Sequence, residues 1–247
     1  AAQVVVLDSY MRERIEALLP PGQRPPITVI PPWPLEDHLK PVPREDNPFL
    51  KEHGLTGKRC IFMYSGNHSL VHPLEPFLEA IKPYKDRDDL AFLFVGGGRG
   101  KAAVERFIET ERPVNVLSLP YQPLDQLKYS LSAADVQVVV MGAPMVGMVH
   151  PCKIYGAMAV ARPVLYIGPR HSPLGELVES GQFGWVADPD EPDVCRKMVN
   201  TILRSNRRDW DTCGLSGLKL LNCEYSATVV ADIFLNQVHG MTKKTLS

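Results

Sequence analysis

The sequence has no C-x-x-C pair, and its five cysteines, Cys60, Cys152, Cys195, Cys213 and Cys223, are an odd number at wide spacings. That pattern excludes a disulfide framework and suits a reducing compartment. Long hydrophobic runs are missing too. None approaches the roughly 20 residues a membrane-spanning helix needs, and the amino end, AAQVVVLDSYMRER, lacks the basic start and long apolar centre of a signal peptide. Charge of one sign is also scarce: the formal net charge is -1 with no like-charge run, which argues against nucleic acid as a partner. There is no internal repeat. The chain opens without Met inside a strand-helix pattern, so it reads as an excised piece of a longer protein.

What is present is enough for a core. The 247 residues are 45% hydrophobic, the content of one large or two small globular domains. QVVVL, the helical pattern SYMRERIEALL with Ser9 as N-cap, and ITVI form a first unit. Prolines are dense from Pro20 to Pro48 and include Pro31, Pro32 and Pro34 around Trp33. That density opposes regular structure and marks a linker. Beyond it RCIFMYSG, LAFLFVGGG, VNVLSL, DVQVVVM, PVLYIG and GWVAD alternate with helical patterns. The alternation predicts an α/β fold, a Rossmann-like doubly wound parallel sheet with helices on both faces. Ligands of such sheets bind outside the carboxyl ends of the strands, near the switch in strand order.

The residues just after each strand are therefore the candidates. Gly66-Asn67 allows a tight turn before His68 and the helical pattern PLEPFLEAI. Gly96, Gly97, Gly98 and Gly100 let backbone approach a ligand closely. They do not form a Walker loop, because Val95 and Ala102 stand where glycine and a hydroxyl are needed, nor a dinucleotide fingerprint, because Lys101 stands where its last glycine belongs. A plain turn and one wall of a nucleotide cleft remain equal readings. Pro120-Tyr121-Gln122-Pro123 either holds a planar base or merely covers the sheet's edge. In VHPCKIYGAMAVARPVLYIG, Lys153 opens a helix beside Pro151, Cys152 and Ile154. A cation there with helix amides suits a diphosphate, and a solvated first-turn lysine is the alternative. His150 either donates to phosphate or sugar or is a loop residue. Glu176 in SPLGELVESG is a further polar candidate. His68 and His72 lack a third metal ligand, and DPDEPD, Asp188 to Asp193, lacks the glycine and glutamate of a calcium loop; Trp185 reads as core.

YSGNHSLVHPLEPFLEAI, FVGGG, LPYQPLDQL and GMVHPCKIYGAMAVARPVLYIGP, in this order, resemble the nucleotide-sugar half of bacterial family 4 (group 1) glycosyltransferases, close to the amino-sugar transferases of surface-polysaccharide assembly. The resemblance covers nearly the whole chain. It implies the carboxyl-terminal, donor-binding half of a GT-B glycosyltransferase. Residues 1–34 would be the last unit of an acceptor domain plus linker, 35–225 the nucleotide-sugar domain, and 226–247 a helix returning toward the acceptor domain. It further implies retaining transfer of a sugar from a nucleotide diphosphate donor to a glycan or lipid-linked acceptor, with neither metal nor cofactor. The setting would be cytoplasmic, at the inner face of the cytoplasmic membrane. The facing acceptor domain of the same chain would be a partner.

Lys153 falls on the lysine of the P-S-K motif seen in close relatives and, with His150, is the expected catalytic residue. Gly66, Asn67, His68, Gly97, Gly98, Tyr121, Gln122, Pro151, Cys152, Ile154 and Glu176 are the expected substrate contacts. The sequence departs from the family where Met148 and Gly156 replace two glutamates, and where Asn67 and His72 replace an arginine and a lysine. A sugar-nucleotide epimerase of the same fold and a non-catalytic sugar-nucleotide-binding domain are the other readings.

Overall fold

The computed structural model describes residues 3–34, 39–191 and 193–245; the linker stretch 35–38 and Pro192 of the acidic loop lie outside the described residues. The first unit is β1 (Val4–Val6), α1 (Ser9–Leu18) and β2 (Ile27–Val29), with the two strands paired in parallel. Its N-cap is Asp8 and not Ser9. Asp8 has extended backbone, and its Oδ1 accepts from Met11 N at 2.8 Å. The carboxylate one residue earlier reaches the free amide that Ser9, already helical, does not.

The proline-rich stretch is more ordered than its composition predicts. It holds 3₁₀ turns at Pro21–Gln23 and Arg44–Asp46, and the short helix α2 (Pro48–Glu52). Pro48 occupies the first turn of α2, where a missing N–H costs nothing, and Asn47 caps it by accepting from Phe49 N at 3.1 Å.

The remaining elements alternate as expected: β3 (Cys60–Ser65), α3 (Glu75–Ile81), β4 (Leu90–Val95), α4 (Lys101–Glu111), β5 (Val116–Leu119), α5 (Leu127–Ala133), β6 (Val136–Val140), α6 (Lys153–Ala159), β7 (Val164–Ile167), α7 (Pro173–Gly181), β8 (Gly184–Ala187) and α8 (Val194–Arg204). α9 (Arg207–Leu220), a π-helical turn at Leu221–Tyr225 and α10 (Ala227–Thr245) follow. The six strands pair in parallel in the order β5-β4-β3-β6-β7-β8. Strand order reverses between β3 and β6, and the crevice of a doubly wound sheet opens there.

The strands are continuous apolar runs because both faces are covered. Along β3, Cys60, Phe62 and Tyr64 join one buried cluster with Phe77, Phe92, Phe94 and Trp210. The alternate residues Ile61 and Met63 join another with Phe49, Leu50 and Leu93. A third cluster, with Tyr155, Met158, Tyr166 and Phe183, packs α6 and α7 against β6 and β7. Trp185 is partly buried and packs against the first of these.

Candidate functional site

At the crevice, the loops after β3 and β4 are tied together by backbone before any side chain is considered. Gly66 N donates to Val95 O at 2.9 Å, His68 N to Gly97 O at 2.8 Å, and Gly100 N to His68 O at 2.8 Å. This lacing explains the glycines. Gly96 has φ 122°, and a Cβ on it would overlap Gly66 O; a Cβ on Gly98, φ 127°, would overlap the Asn67 side chain and His68 O. Only glycine allows the loops after β3 and β4 to lie so close. Lys101 is drawn into the same framework, because its Nζ donates to Gly96 O at 2.6 Å and Leu119 O at 2.7 Å. The G-K pattern that fails as a phosphate loop thus braces the ends of β4 and β5 from within.

Lys153 projects into this framework from the first turn of α6. Its Nζ lies 3.6 Å from the centre of the Tyr64 ring, and a methyl group on Gly66 would touch Nζ at 3.5 Å. The ammonium end is buried and has no hydrogen-bond partner among the described residues. Loss of water lowers its pKa to about 7. The Tyr64 hydroxyl, whose own pKa burial raises, donates to Asn67 O at 2.8 Å and so fixes the ring beneath the lysine. His68 stacks edge-on to Tyr64 at 4.8 Å and points Nδ1 at Gly66 O, 3.1 Å away. Burial lowers its pKa to about 4, with Lys153 and Lys101 adding to the effect. His72 is lowered too, by burial first and by Lys153 second.

At the rim, Tyr121 is 58% exposed. Its hydroxyl donates to Gly97 O at 3.1 Å, so the ring lies beside the glycine loop with open surface around it. Gln122 is half-buried and folds back to Pro120 O at 3.1 Å. The helix amides expected near Lys153 are partly used: Ile154 N donates to Pro151 O at 3.4 Å and Tyr155 N to Cys152 O at 3.1 Å. The Ile154 side chain is wholly buried in the core and Pro151 is buried, while Cys152 is exposed with its thiol on His150 O at 3.3 Å.

The fold therefore brings together Gly66, Asn67, His68, Gly97, Gly98, Tyr121 and Lys153, and it separates His150 and Glu176 from them. His150 is held between two partners, with Nδ1 2.9 Å from Asp8 Oδ2 and Nε2 3.0 Å from the Tyr155 hydroxyl. Glu176 accepts from the Tyr10 hydroxyl. Both residues line a cavity of about 320 Å³ between the first unit and α6, α7 and the π-helical turn, together with Asp8, Tyr155 and Tyr225. The sequence reading missed the partners: Tyr64 under Lys153, Lys101 as a brace, and Asp8 and Tyr155 around His150. Only Lys101 carried a signal, its place directly after the glycine loop.

The two family positions that lack glutamate also differ in setting. Met148 is 53% exposed. A Cβ on Gly156 would be 3.5 Å from Leu131 Cδ1 and 3.9 Å from Leu39 Cδ1. The acidic loop is closed on itself, since Asp188 accepts from Arg170 N at 2.8 Å and from Asp190 N at 3.2 Å. Among the described residues no three His, Cys, Asp or Glu are grouped as a metal site requires, and no helix is long and apolar enough to cross a membrane.

Comparison with known proteins places this geometry. Residues 59–205 match the family model described as glycosyl transferases group 1. WbjE of Pseudomonas aeruginosa, named a probable glycosyltransferase, is 28% identical over 170 residues, covering 69% of this chain and 42% of WbjE. WcaI of Escherichia coli K12, whose name assigns it to colanic acid biosynthesis, is 30% identical over 148 residues, covering 60% of this chain and 36% of WcaI. Among solved structures, Anabaena HepE in complex with UDP-glucose superposes with TM-score 0.78 at 15% identity, covering 97% of this chain and 64% of HepE. The chain thus spans less than half the length of both curated relatives. Its fold is that of the carboxyl-terminal half of GT-B glycosyltransferases.

Proposed function

Because the chain belongs to the group 1 glycosyl transferases, we propose that its crevice binds the nucleoside diphosphate of a sugar-nucleotide donor and that the whole protein is a retaining glycosyltransferase. The acceptor in this reading is a glycan or lipid-linked glycan of surface-polysaccharide synthesis, met at the inner face of the cytoplasmic membrane. The observation that carries the reading is Lys153 Nζ, a buried amine without a partner among the described residues, at the point where strand order reverses. An unpaired buried donor is costly, and a ligand phosphate oxygen would supply the missing acceptor through a charge-assisted hydrogen bond. Support also comes from the exposed ring of Tyr121 beside Gly97, a surface on which a planar base can stack, and from HepE, which was solved with UDP-glucose.

In this mechanism negative charge grows on the diphosphate as its bond to the sugar breaks. Lys153 stabilises that charge at a position set by Tyr64 and Gly66 before the reaction begins. Neither a metal nor a cofactor takes part; the sugar nucleotide is a substrate. Residues 1–34 belong to the acceptor-side unit and linker, 35–225 to the donor domain, and 226–247 to a helix that returns to the acceptor side. The facing domain excludes water and holds the two substrates together.

A second reading, a sugar-nucleotide-binding domain without transfer, is favoured by one observation: neither Met148 nor Gly156 brings a carboxylate to the donor sugar. Calorimetry of this chain with UDP, GDP and dTDP tests donor binding, and a transfer assay on the whole protein separates the two readings. Absence of binding to all three nucleotides overturns both. Binding by this chain with no sugar transfer by the whole protein leaves the second.

A further inference from the structure

Four buried side-chain polar atoms have no hydrogen-bond partner among the described residues, and three of them belong to one place: Lys153 Nζ, His68 Nε2 and His72 Nδ1. The fourth, Asn115 Oδ1, lies elsewhere. Buried polar groups are nearly always paired, so three orphans in a single crevice point to a ligand that pairs them. Lys153 and His68 lie against the same Tyr64 ring, and His72 is near enough to feel the lysine's charge. The other ionisable groups facing them are accounted for. Lys101 donates to two carbonyls, Tyr64 donates to Asn67 O, and Tyr121 donates to Gly97 O. No ion pair among the described residues reaches Lys153, His68 or His72.

We propose that His68 and His72 share the donor's diphosphate with Lys153, and that the complex forms by drawing protons from solvent onto the lysine and at least one imidazole. This rests on the donor-site reading above and adds to it a charge that assembles only with the ligand. In the free crevice burial starves the three groups of water, and the charge of Lys153 opposes a charge on either imidazole, so they shed protons. An incoming diphosphate reverses both effects, because its oxygens supply the acceptors that the protonated nitrogens lack. Where a fixed cation would attract any anion, this cradle is electrostatically weak until a multiply charged one enters. Linkage then requires affinity to fall as pH rises above the free-state pKa of Lys153.

The test is calorimetry of this chain with UDP, GDP and dTDP at pH 8, repeated in buffers of different ionisation enthalpy. With a free-state pKa of about 7, about nine-tenths of Lys153 is neutral at that pH, so the lysine alone takes up just under one proton. The expected uptake is above one proton per ligand. His72→Gln, a change at a half-buried ring, is expected to bring it below one and to weaken binding by about tenfold, the effect of one charge-assisted contact. His72→Lys, which supplies the cation in advance, should also bring uptake below one while keeping affinity. An enthalpy independent of buffer overturns proton uptake. Uptake below one proton, or uptake that neither His72→Gln nor His68→Asn lowers, removes the imidazoles. If none of the three nucleotides binds at any pH, the donor-site reading fails, and this inference falls with it.

Discussion

The two edges of the six-stranded sheet handle buried charge in opposite ways. At the amino edge Asp135, 3% exposed, accepts from Ile61 N at 2.9 Å and pairs with Arg44 at 3.5 Å and with Arg207. Nearby, Arg162 donates to Ser132 O at 2.9 Å. Burial raises the Asp135 pKa and the arginines oppose it. Every buried charge there has its partner inside the chain. At the carboxyl edge Lys153, half-buried as a residue, has a buried Nζ with no partner among the described residues. The same fold thus carries one network paired within itself and one buried amine that is not. The contrast marks the crevice as the candidate site.

The comparison breaks first at the amino edge. Asp135→Ala removes the carboxylate from Arg44 and Arg207 and the acceptor from Ile61 N. Because both arginines keep some exposure and backbone acceptors, the loss is about 3 kcal/mol, the low end for breaking a buried pair. Urea unfolding should show that loss; a change below about 1 kcal/mol would mean that the arginines are hydrated and the network contributes little.

Lys153→Ala should do the reverse. Nucleotide affinity drops about tenfold or more, since a hydrogen bond to a charged group is worth roughly 1.5–3 kcal/mol, and stability does not fall. The pH dependence follows from the sign of the shift. The lysine's folded pKa, about 7, lies below its ordinary value of 10.5, so the unfolded chain binds more protons between those values. Its destabilising effect is fully present below pH 7 and fades as pH rises toward 10.5. Comparing unfolding midpoints of the parent chain and Lys153→Met at pH 6.5 and pH 9.5 should show the variant's advantage shrinking at the higher pH. A constant difference would contradict the depressed pKa.

A smaller effect sharpens the rim of the same edge. Tyr121→Ala should weaken UDP, GDP and dTDP binding alike by about 1 kcal/mol, the low end of base–aromatic stacking. It should leave inorganic pyrophosphate unaffected. Equal losses for nucleotide and pyrophosphate would show that the ring orders the glycine loop through Gly97 and does not stack on a base.

The sheet was legible because both its faces are covered, which makes each strand a continuous apolar run from β3 to β8. The glycines at 96 and 98 and the lysine at 153 were legible by position after strands. The cap at Asp8 and the helix at Pro48–Glu52 were obscured by rules with local exceptions: a better carboxylate one residue upstream, and a proline at a helix start. The partners of His150 were not legible at all. Asp8 lies 142 positions away, and no local pattern connects them. The pairing of Lys153 with Tyr64 was hidden in the same way, since aromatic residues inside strands read as core.

His150 offers the finest test, because it lies in the loop that leads into Lys153 yet follows the amino edge's pattern, with both ring nitrogens engaged. If engagement within the chain marks structure and orphaned groups mark the site, weakening its contacts should cost stability and spare the nucleotide. Asp8→Asn isolates this. Asparagine still caps α1 through its side-chain oxygen, so the helix is kept, while the charge-assisted contact to His150 Nδ1 is exchanged for a neutral one. The two partners are 8% and 4% exposed in their side chains, and the expected loss is about 1 kcal/mol of unfolding free energy, the difference between a charged and a neutral hydrogen bond. UDP, GDP and dTDP affinities of the variant should remain within about twofold of the parent's, since Asp8 and His150 meet the cavity shared with Glu176 and not the crevice above Tyr64. A tenfold loss of nucleotide affinity with unchanged stability would return His150 to the donor site, where its place in the loop before Lys153 first put it.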